Sequence, residues 1–151
     1  MSEAGKRLIL AFDFGTRRIG VAVGNEMIAS ARPLDPLPAR DGIPDWNVVT
    51  RLVEEWRPDL FVVGLPLNMD GTESAMSTRA RKFGKRLYGR YGKPCEMVDE
   101  RGSTREAKAI AREAGHLRDR DKSYRDDGVD GIAAVLILES WFARLEGLPA
   151  R

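Results

Sequence analysis

Residues 8–24, LILAFDFGTRRIGVAVG, decide the fold of this 151-residue chain. The first five residues are all apolar, which predicts a strand buried on both faces, and a second strand follows after a short polar break. Asp13 interrupts the apolar run. Because an unpaired charge costs several kcal/mol in such surroundings, Asp13 needs a cation, a set of hydrogen bonds or access to water. It is either a turn residue at the Gly15 bend or a metal ligand.

The composition fits one globular domain spanning residues 1–151, with 42% hydrophobic and 32% charged residues and a net charge of +2. The single Cys95 excludes an internal disulfide, and the single His116 excludes a zinc site built from several His and Cys ligands. No apolar run approaches the roughly 20 residues of a membrane span. We therefore expect a cytoplasmic protein that does not enter membranes.

The patterning along the chain predicts an α/β fold with a five-stranded mixed sheet and helices on both of its faces. The first three strands are joined by short breaks, which predicts an antiparallel meander. Helical sequence separates the later strands, and such crossovers predict parallel pairing. The predicted strands are residues 7–14, 18–25, 28–34, 60–65 and 94–98, and a helix runs from an N-cap at Asp45 to near Pro58.

Two further carboxylate positions stand at predicted element ends. Asp99 and Glu100 follow the last strand, and alternation puts them on opposite faces, so spacing alone leaves open which of them shares a site. Asp130 lies in the first turn of an apolar helix for which we expect Asp127 as N-cap. Either acid of the last helix could simply stabilise the helix N-terminus.

Convergence of Asp13, one acid of the Asp99–Glu100 pair and Asp130 would create a site with oxygen ligands only. Such ligands select Mg²⁺ or Mn²⁺ over zinc. Two such ions about 3.5 to 4 Å apart can clamp the attacking and leaving oxygens of a phosphodiester. The predicted chemistry is therefore phosphodiester hydrolysis.

A nucleic-acid substrate requires positive charge, and residues 79–93 contain seven basic side chains and no acidic one. Helical spacing puts four of these side chains on one stripe beside an apolar stripe, which predicts a basic surface for phosphates, although a solvated helix face is the alternative. The preceding loop, GLPLNMDGTES, contains Asn68 and either meets a phosphate at the helix N-terminus or is only a turn. The four stripe residues are Arg79, Lys82, Arg86 and Arg90.

Four ordered segments, AFDFGTRRIGVAVG, VVGLPLNMDGTES, VDERGST and VDGIAAVLILESWF, resemble the YqgF/RuvX family of pre-16S ribosomal RNA nucleases. The resemblance spans about Leu8 to Phe142 and implies a Holliday-junction-resolvase-like RNase H fold. By motif it implies that Asp13, Glu100 and Asp130 are the catalytic acids and hold Mg²⁺ or Mn²⁺, with two ions expected. The choice of Glu100 over Asp99 rests on this resemblance. It also implies that Arg17 or the basic helix positions phosphates.

The function implied by the resemblance is processing of the 5′ end of pre-16S ribosomal RNA in ribosome biogenesis. Two alternatives stay open: a resolvase acting on branched DNA, and a non-catalytic RNA-binding assembly factor. A homodimer and ribosome-associated partners stay open as well. Gly102 departs from the apolar residue that many relatives carry there, which predicts altered rigidity of the loop after Glu100. An actin-like ATPase, which the DFGT segment also resembles, would need two such domains.

Overall fold

A computed structural model describes residues 5–99 and 122–147 and, within the last helix, the side chains of residues 131–144. The described elements form one six-stranded sheet in the order β4-β3-β2-β1-β5-β6 with three helices. The elements are β1 (Leu8–Asp13), β2 (Arg18–Asn25), β3 (Ser30–Arg40), β4 (Ile43–Pro44), α1 (Trp46–Trp56), β5 (Leu60–Leu65), α2 (Ala75–Tyr91), β6 (Cys95–Asp99) and α3 (Lys122–Gly147).

The predicted mixed sheet is confirmed. Strand β1 pairs antiparallel with β2 on one side and parallel with β5 on the other, so it is the junction between the two halves of the sheet. Strand β2 pairs antiparallel with β3, and β5 pairs parallel with β6. The short breaks after β1 and β2 permit only hairpin connections, whereas α2 between β5 and β6 supplies the crossover that parallel strands need.

The prediction of five strands is wrong by one, because β3 continues into a hairpin with β4. Arg40 pairs with Ile43 across the two-residue loop of Asp41 and Gly42, and both loop residues have positive φ, at 51° and 81°. An Asp-Gly loop of this kind favours the turn whose twist matches paired strands. The sequence contains this signal, but β4 has only two residues and no apolar run of its own.

Strand β3 begins two residues later and ends six residues later than the predicted strand 28–34. Proline cannot donate a hydrogen bond within a sheet, so Pro33, Pro36 and Pro38 need positions where the missing N–H is not required. Residues 30–38 of β3 have β2 on one side, and β4 pairs only with Ala39 and Arg40. Among the described strands, no second neighbour pairs with these proline positions, and Pro36 lies where the register with β2 shifts.

The sheet separates two apolar cores, so the molecule has three layers. Helices α1 and α2 cover one face, where Phe12, Phe61 and Phe83 form a buried aromatic group. Helix α3 covers the other face, where Ile137 and Leu138 are fully buried. Helices thus lie on both faces, as predicted.

Asp45 is the N-cap of α1, as predicted, and its carboxylate accepts a hydrogen bond from the backbone N–H of Asn47 at 2.9 Å. The predicted start of the last helix is wrong, because α3 begins at Lys122 and Asp127 therefore lies inside it. Gly128 costs about 1 kcal/mol in a helix interior. The long helix tolerates this cost because its later turns are buried against the sheet. No described helix is both long and apolar enough to cross a bilayer.

A buried ion pair between Glu26 and Arg7 contacts α3 next to the first residues of β1. Both Glu26 carboxylate oxygens bind the Arg7 guanidinium, at 3.0 and 3.1 Å, and the Trp141 indole N–H donates to Oε2 at 2.7 Å. The backbone N–H groups of Gly5 and Arg7 also donate to this carboxylate. Burial opposes ionisation, but the hydrogen bonds from Arg7, Trp141 and the backbone hold the pKa of Glu26 below its ordinary value.

Cys95 faces α2, and the backbone of Gly84 approaches it so closely that an added Cβ would lie 3.0 Å from Sγ. Burial, together with the nearby Glu96 carboxylate, raises the pKa of the Cys95 thiol to about 12. We expect the native thiol to react with a disulfide reagent at pH 8 at least about a hundredfold more slowly than in guanidinium, because little thiolate is present. Equal rates in the native and unfolded protein would contradict this assignment.

Candidate active site

The carboxyl ends of the parallel strands β1, β5 and β6 lie at the same edge of the sheet, and Asp13 and Asp99 are the last residues of β1 and β6. Asp13 is half-buried and directly follows the fully buried Phe12. A rigid central strand holds its backbone, paired with Gly20 of β2. This placement suits a side chain that must hold a fixed position.

The two strand-end aspartates lie on opposite faces of the sheet. Asp13 is two residues after Ala11 in β1, and residues two apart in a strand share a face. Ala11 packs in the core under α3, so position 13 belongs to the α3 face. Asp99 is likewise two residues after Met97 and shares its face, and Met97 packs in the core under α1 and α2. Asp99 therefore does not share a face with Asp13. Glu100, the other acid of this pair, lies outside the described residues.

Asp130 lies in the N-terminal half of α3, and its side chain is outside the described part of the helix. Position 130 is one turn before Ala134 and two turns before Ile137, both of which are fully buried against the sheet. Further along, Trp141 reaches Glu26 near the start of β1. The helix therefore runs from the Asp13 end of β1 towards its first residues.

The loop between β1 and β2 follows Asp13 directly and is held by the β3–β4 hairpin. The backbone N–H of Gly42 donates to the carbonyl of Thr16 at 2.9 Å, and that of Ala39 donates to the carbonyl of Arg17 at 2.8 Å. The Arg17 side chain is exposed. Gly15 makes the bend, and a Cβ there would overlap the backbone carbonyl oxygen of Arg18.

Gly15→Ala is expected to lower the free energy of unfolding by about 2 kcal/mol, because a backbone atom must move to admit the methyl group. Urea denaturation measures the loss. Gly89→Ala is the matched control, since a Cβ at this position of α2 meets nothing within 4 Å and alanine favours helix. The control should gain up to about 1 kcal/mol. A Gly15→Ala protein as stable as wild type would contradict the assigned role of this bend.

Asn68 forms hydrogen bonds within the loop that follows β5. Its side-chain amide donates to the Thr72 hydroxyl at 3.0 Å, and its backbone N–H donates to the Thr72 carbonyl at 2.8 Å. Asp70 binds the same threonine through its carboxylate. Ser74 then caps α2 in a reciprocal box with Ser77. In this structure Asn68 organises the turn, while its phosphate-binding role remains a prediction.

The predicted apolar stripe of α2 is confirmed, with Ala80, Phe83 and Leu87 buried. In the basic stripe beside it, Arg79 and Arg90 have intramolecular contacts and differ in this from Lys82 and Arg86. Arg79 donates to the Asp41 carbonyl at 2.7 Å and to its carboxylate at 2.9 Å. The Arg90 guanidinium lies 4.2 Å from the centre of the Trp46 ring.

Lys82 and Arg86 are exposed and form no ion pair or hydrogen bond with any residue in the described ranges. Of the other basic residues in this helix, Arg81 is bound to Glu73 at 2.7 Å. That hydrogen bond holds the pKa of Glu73 below its usual range. Sequence reasoning missed Asp41 and Trp46 as partners of the stripe, because such pairings depend on contacts distant in sequence.

Within residues 5–99 and 122–147, no three His, Cys, Asp or Glu side chains are grouped to hold a metal ion. Of the three acids implied by the motifs, only Asp13 has a described side chain. Its half-buried carboxylate at the carboxyl end of β1 could offer oxygen ligands to a metal ion. That chemistry fits Mg²⁺ or Mn²⁺ better than softer metals.

Comparison with known proteins agrees with this geometry. The family model described as "RuvX: Holliday junction resolvase" matches residues 7–144. A protein of Chromohalobacter salexigens named "Putative pre-16S rRNA nuclease" is 75% identical over 95% of this chain and 94% of its own length. A relative of the same name from Marinobacter nauticus is 57% identical over 93% of this chain and 96% of its own.

Two solved structures share the fold at low sequence identity. One is T. thermophilus RuvC in complex with a Holliday junction substrate, with a TM-score of 0.53, 16% identity, and coverage of 93% of this chain and 96% of RuvC. The other is the fowlpox virus Holliday junction resolvase, with a TM-score of 0.53, 15% identity, and coverage of 91% and 99%. The fold is therefore that of the RuvC-like, RNase H-like resolvases. Together with the family match over residues 7–144, these findings establish that the chain belongs to the RuvX family.

Proposed function

We propose that this protein is a metal-dependent nuclease that hydrolyses phosphodiester bonds near the 5′ end of pre-16S ribosomal RNA. The observation that carries the proposal is the position of Asp13, half-buried at the end of the fully buried central strand. The relatives named as pre-16S rRNA nucleases support this substrate. Ribosomal precursors are made in the cytoplasm of bacteria, which is where we place the activity.

The proposed catalytic acids are Asp13, Glu100 and Asp130. Asp99 lies on the face away from Asp13, which supports Glu100 as the acid of the DER motif. Position 130 continues the buried stripe of α3 towards the Asp13 end of the sheet, which supports Asp130. Two Mg²⁺ or Mn²⁺ ions at these carboxylates would activate the attacking water and stabilise the leaving oxygen.

The remaining residues contribute position and charge. Asp13 contributes one negative charge from a fixed backbone, so its oxygens need little reorganisation when substrate binds. Arg17, exposed in the loop that follows Asp13, would contact a phosphate of the RNA. Lys82 and Arg86 offer further phosphate contacts, and we propose minor or indirect roles for Asn68, Arg79 and Arg90, which hold intramolecular contacts.

Resolution of branched DNA is the second candidate, favoured by the family description and by the fold shared with RuvC. A four-way junction is cut on two strands, so this function requires a homodimer presenting two sites. Cleavage of a ribosomal precursor requires one site, with ribosome-associated partners as additional contacts. The oligomeric state of the active species therefore separates the two candidates.

The deciding experiment offers wild-type protein a labelled pre-16S RNA and a labelled four-way DNA junction, each with Mg²⁺, with Mn²⁺ and with chelator. We expect metal-dependent cutting of the RNA at a defined position and little cutting of the junction. Preferential cutting of the junction by a dimer would replace the first candidate with the second. Binding of RNA without cutting under any metal condition would instead indicate a non-catalytic assembly factor.

A further inference from the structure

A cleft of about 270 Å³ lies between the β3–β4 hairpin and α2. Its floor is apolar, formed by the edges of Phe14 and Phe83, which are otherwise buried in the core. Ile43 of β4 forms part of the rim and is 51% exposed, so its apolar side chain is accessible to a ligand. Lys82 and Arg86 of α2 line the opposite side.

The charge of this cleft is not balanced within the described chain. Arg79 also lines it, but the Asp41 carboxylate at 2.9 Å offsets that charge. Lys82 and Arg86 have no acidic partner among the described residues. Two uncompensated cations beside an apolar floor are the features that bind an anion attached to a flat apolar group.

The cleft is close to the proposed catalytic edge. Phe14 on its floor is the residue after Asp13, and the Gly42 backbone on its wall is bonded to Thr16 of the intervening loop. Asp13 belongs to the α3 face and the cleft opens on the α2 face. A strand lying across the β1–β2 loop would therefore contact both.

We propose that this cleft binds one unpaired nucleotide of the substrate, a few nucleotides from the bond that is cut. The phosphate lies on Lys82 and Arg86, and the base lies against Ile43 and the edge of Phe14. A duplex keeps its bases paired and stacked, so it can offer only phosphates to this cleft, whereas single-stranded RNA can fill both parts. The inference rests on the proposed nuclease function and specifies its substrate as single-stranded at this point.

The test measures fluorescence anisotropy of a labelled single-stranded RNA of about 12 nucleotides and of a duplex of the same sequence, without divalent metal. Lys82→Ala/Arg86→Ala should weaken single-strand binding at least about tenfold and reduce the slope of log K against log salt by about one. Lys85→Ala/Lys93→Ala removes the same charge away from the cleft and should weaken binding less than about threefold.

Ile43→Ala tests the apolar part of the cleft separately. It should weaken single-strand binding about threefold without changing the salt slope, because no charge is lost. Its effect on duplex binding should be negligible. Equal losses for single strand and duplex with Ile43→Ala would overturn the assignment of an unpaired nucleotide, because only an unpaired base can reach Ile43.

Equal losses with the cleft pair and the control pair would also overturn the proposal, since general attraction to a basic helix would then explain binding. The outcome is independent of cleavage because the assay contains no divalent metal. A protein that binds as described but cuts no RNA would refute the proposed nuclease and leave the cleft intact. If the protein cuts RNA but the cleft variants bind RNA as tightly as wild type, only the cleft proposal is refuted.

Discussion

Asp13→Asn should abolish phosphodiester cleavage and leave the fold intact. The amide keeps the size of the side chain but removes the negative charge that a divalent metal requires. The rate should fall at least about a thousandfold, since several kcal/mol of transition-state stabilisation depend on that charge. Cleavage of the labelled precursor under single-turnover conditions measures the effect, and circular dichroism verifies the fold.

Asp99→Asn is the matched control for this prediction. Asp99 ends a parallel strand at the same edge as Asp13 but lies on the other face of the sheet. We expect its cleavage rate to stay within about threefold of wild type, because a carboxylate on that face does not contribute to the site. A large loss with Asp99→Asn, or full activity with Asp13→Asn, would contradict the proposed catalytic face.

Glu26→Ala should lower the free energy of unfolding by about 3 to 5 kcal/mol. The Glu26 side chain is fully buried, and its loss would leave the largely buried Arg7 guanidinium and the Trp141 indole N–H without their acceptor. Urea unfolding measures the change. Trp141→Phe keeps an aromatic ring but removes one donor, so it should cost less, about 1 to 3 kcal/mol. Equal stability of Glu26→Ala and wild type would show that the ion pair contributes nothing net.

The same ion pair predicts a pH dependence. Because the pKa of Glu26 is lower in the folded state than its ordinary value of 4.5, the unfolded chain binds more protons between the two values. The stabilisation is complete above pH 4.5 and declines as pH falls through the folded-state pKa. The difference in unfolding free energy between wild type and Glu26→Gln should therefore shrink on acidification, and a constant difference would argue against the buried charge.

Much of the fold follows from local patterns in the sequence. The run from Leu8 to Phe12 predicts a central strand because it is apolar on both faces, and all its residues from Ile9 onward are fully buried. The 60–65 strand has the predicted bounds, and β6 lies within one residue of them. These elements are predictable because burial on both faces requires an uninterrupted apolar run.

Features that depend on contacts between residues far apart in the sequence were not predicted. Pro36 gives no sign that β3 continues, since it lies where the register with β2 shifts, between the pairs of Leu34 and Leu37. Arg79, Lys82 and Arg90 lie on the same helical stripe. Asp41 contacts Arg79 and Trp46 contacts Arg90, whereas neither contacts Lys82. For the candidate site, Asp13 could be placed by its strand, whereas the roles of Glu100 and Asp130 rest on motif resemblance and stay predictions.

The position of α3 after all the described strands has a consequence for synthesis. Its buried side chains, such as Ile137 and Leu138, pack on one apolar face of the sheet, and all six described strands precede them in the sequence. During translation, the apolar residues of that face lack these contacts until residues 131–144 have left the ribosome. Nascent chains should therefore bind chaperones strongly until α3 emerges, and truncation before α3 should produce aggregation rather than a smaller folded domain.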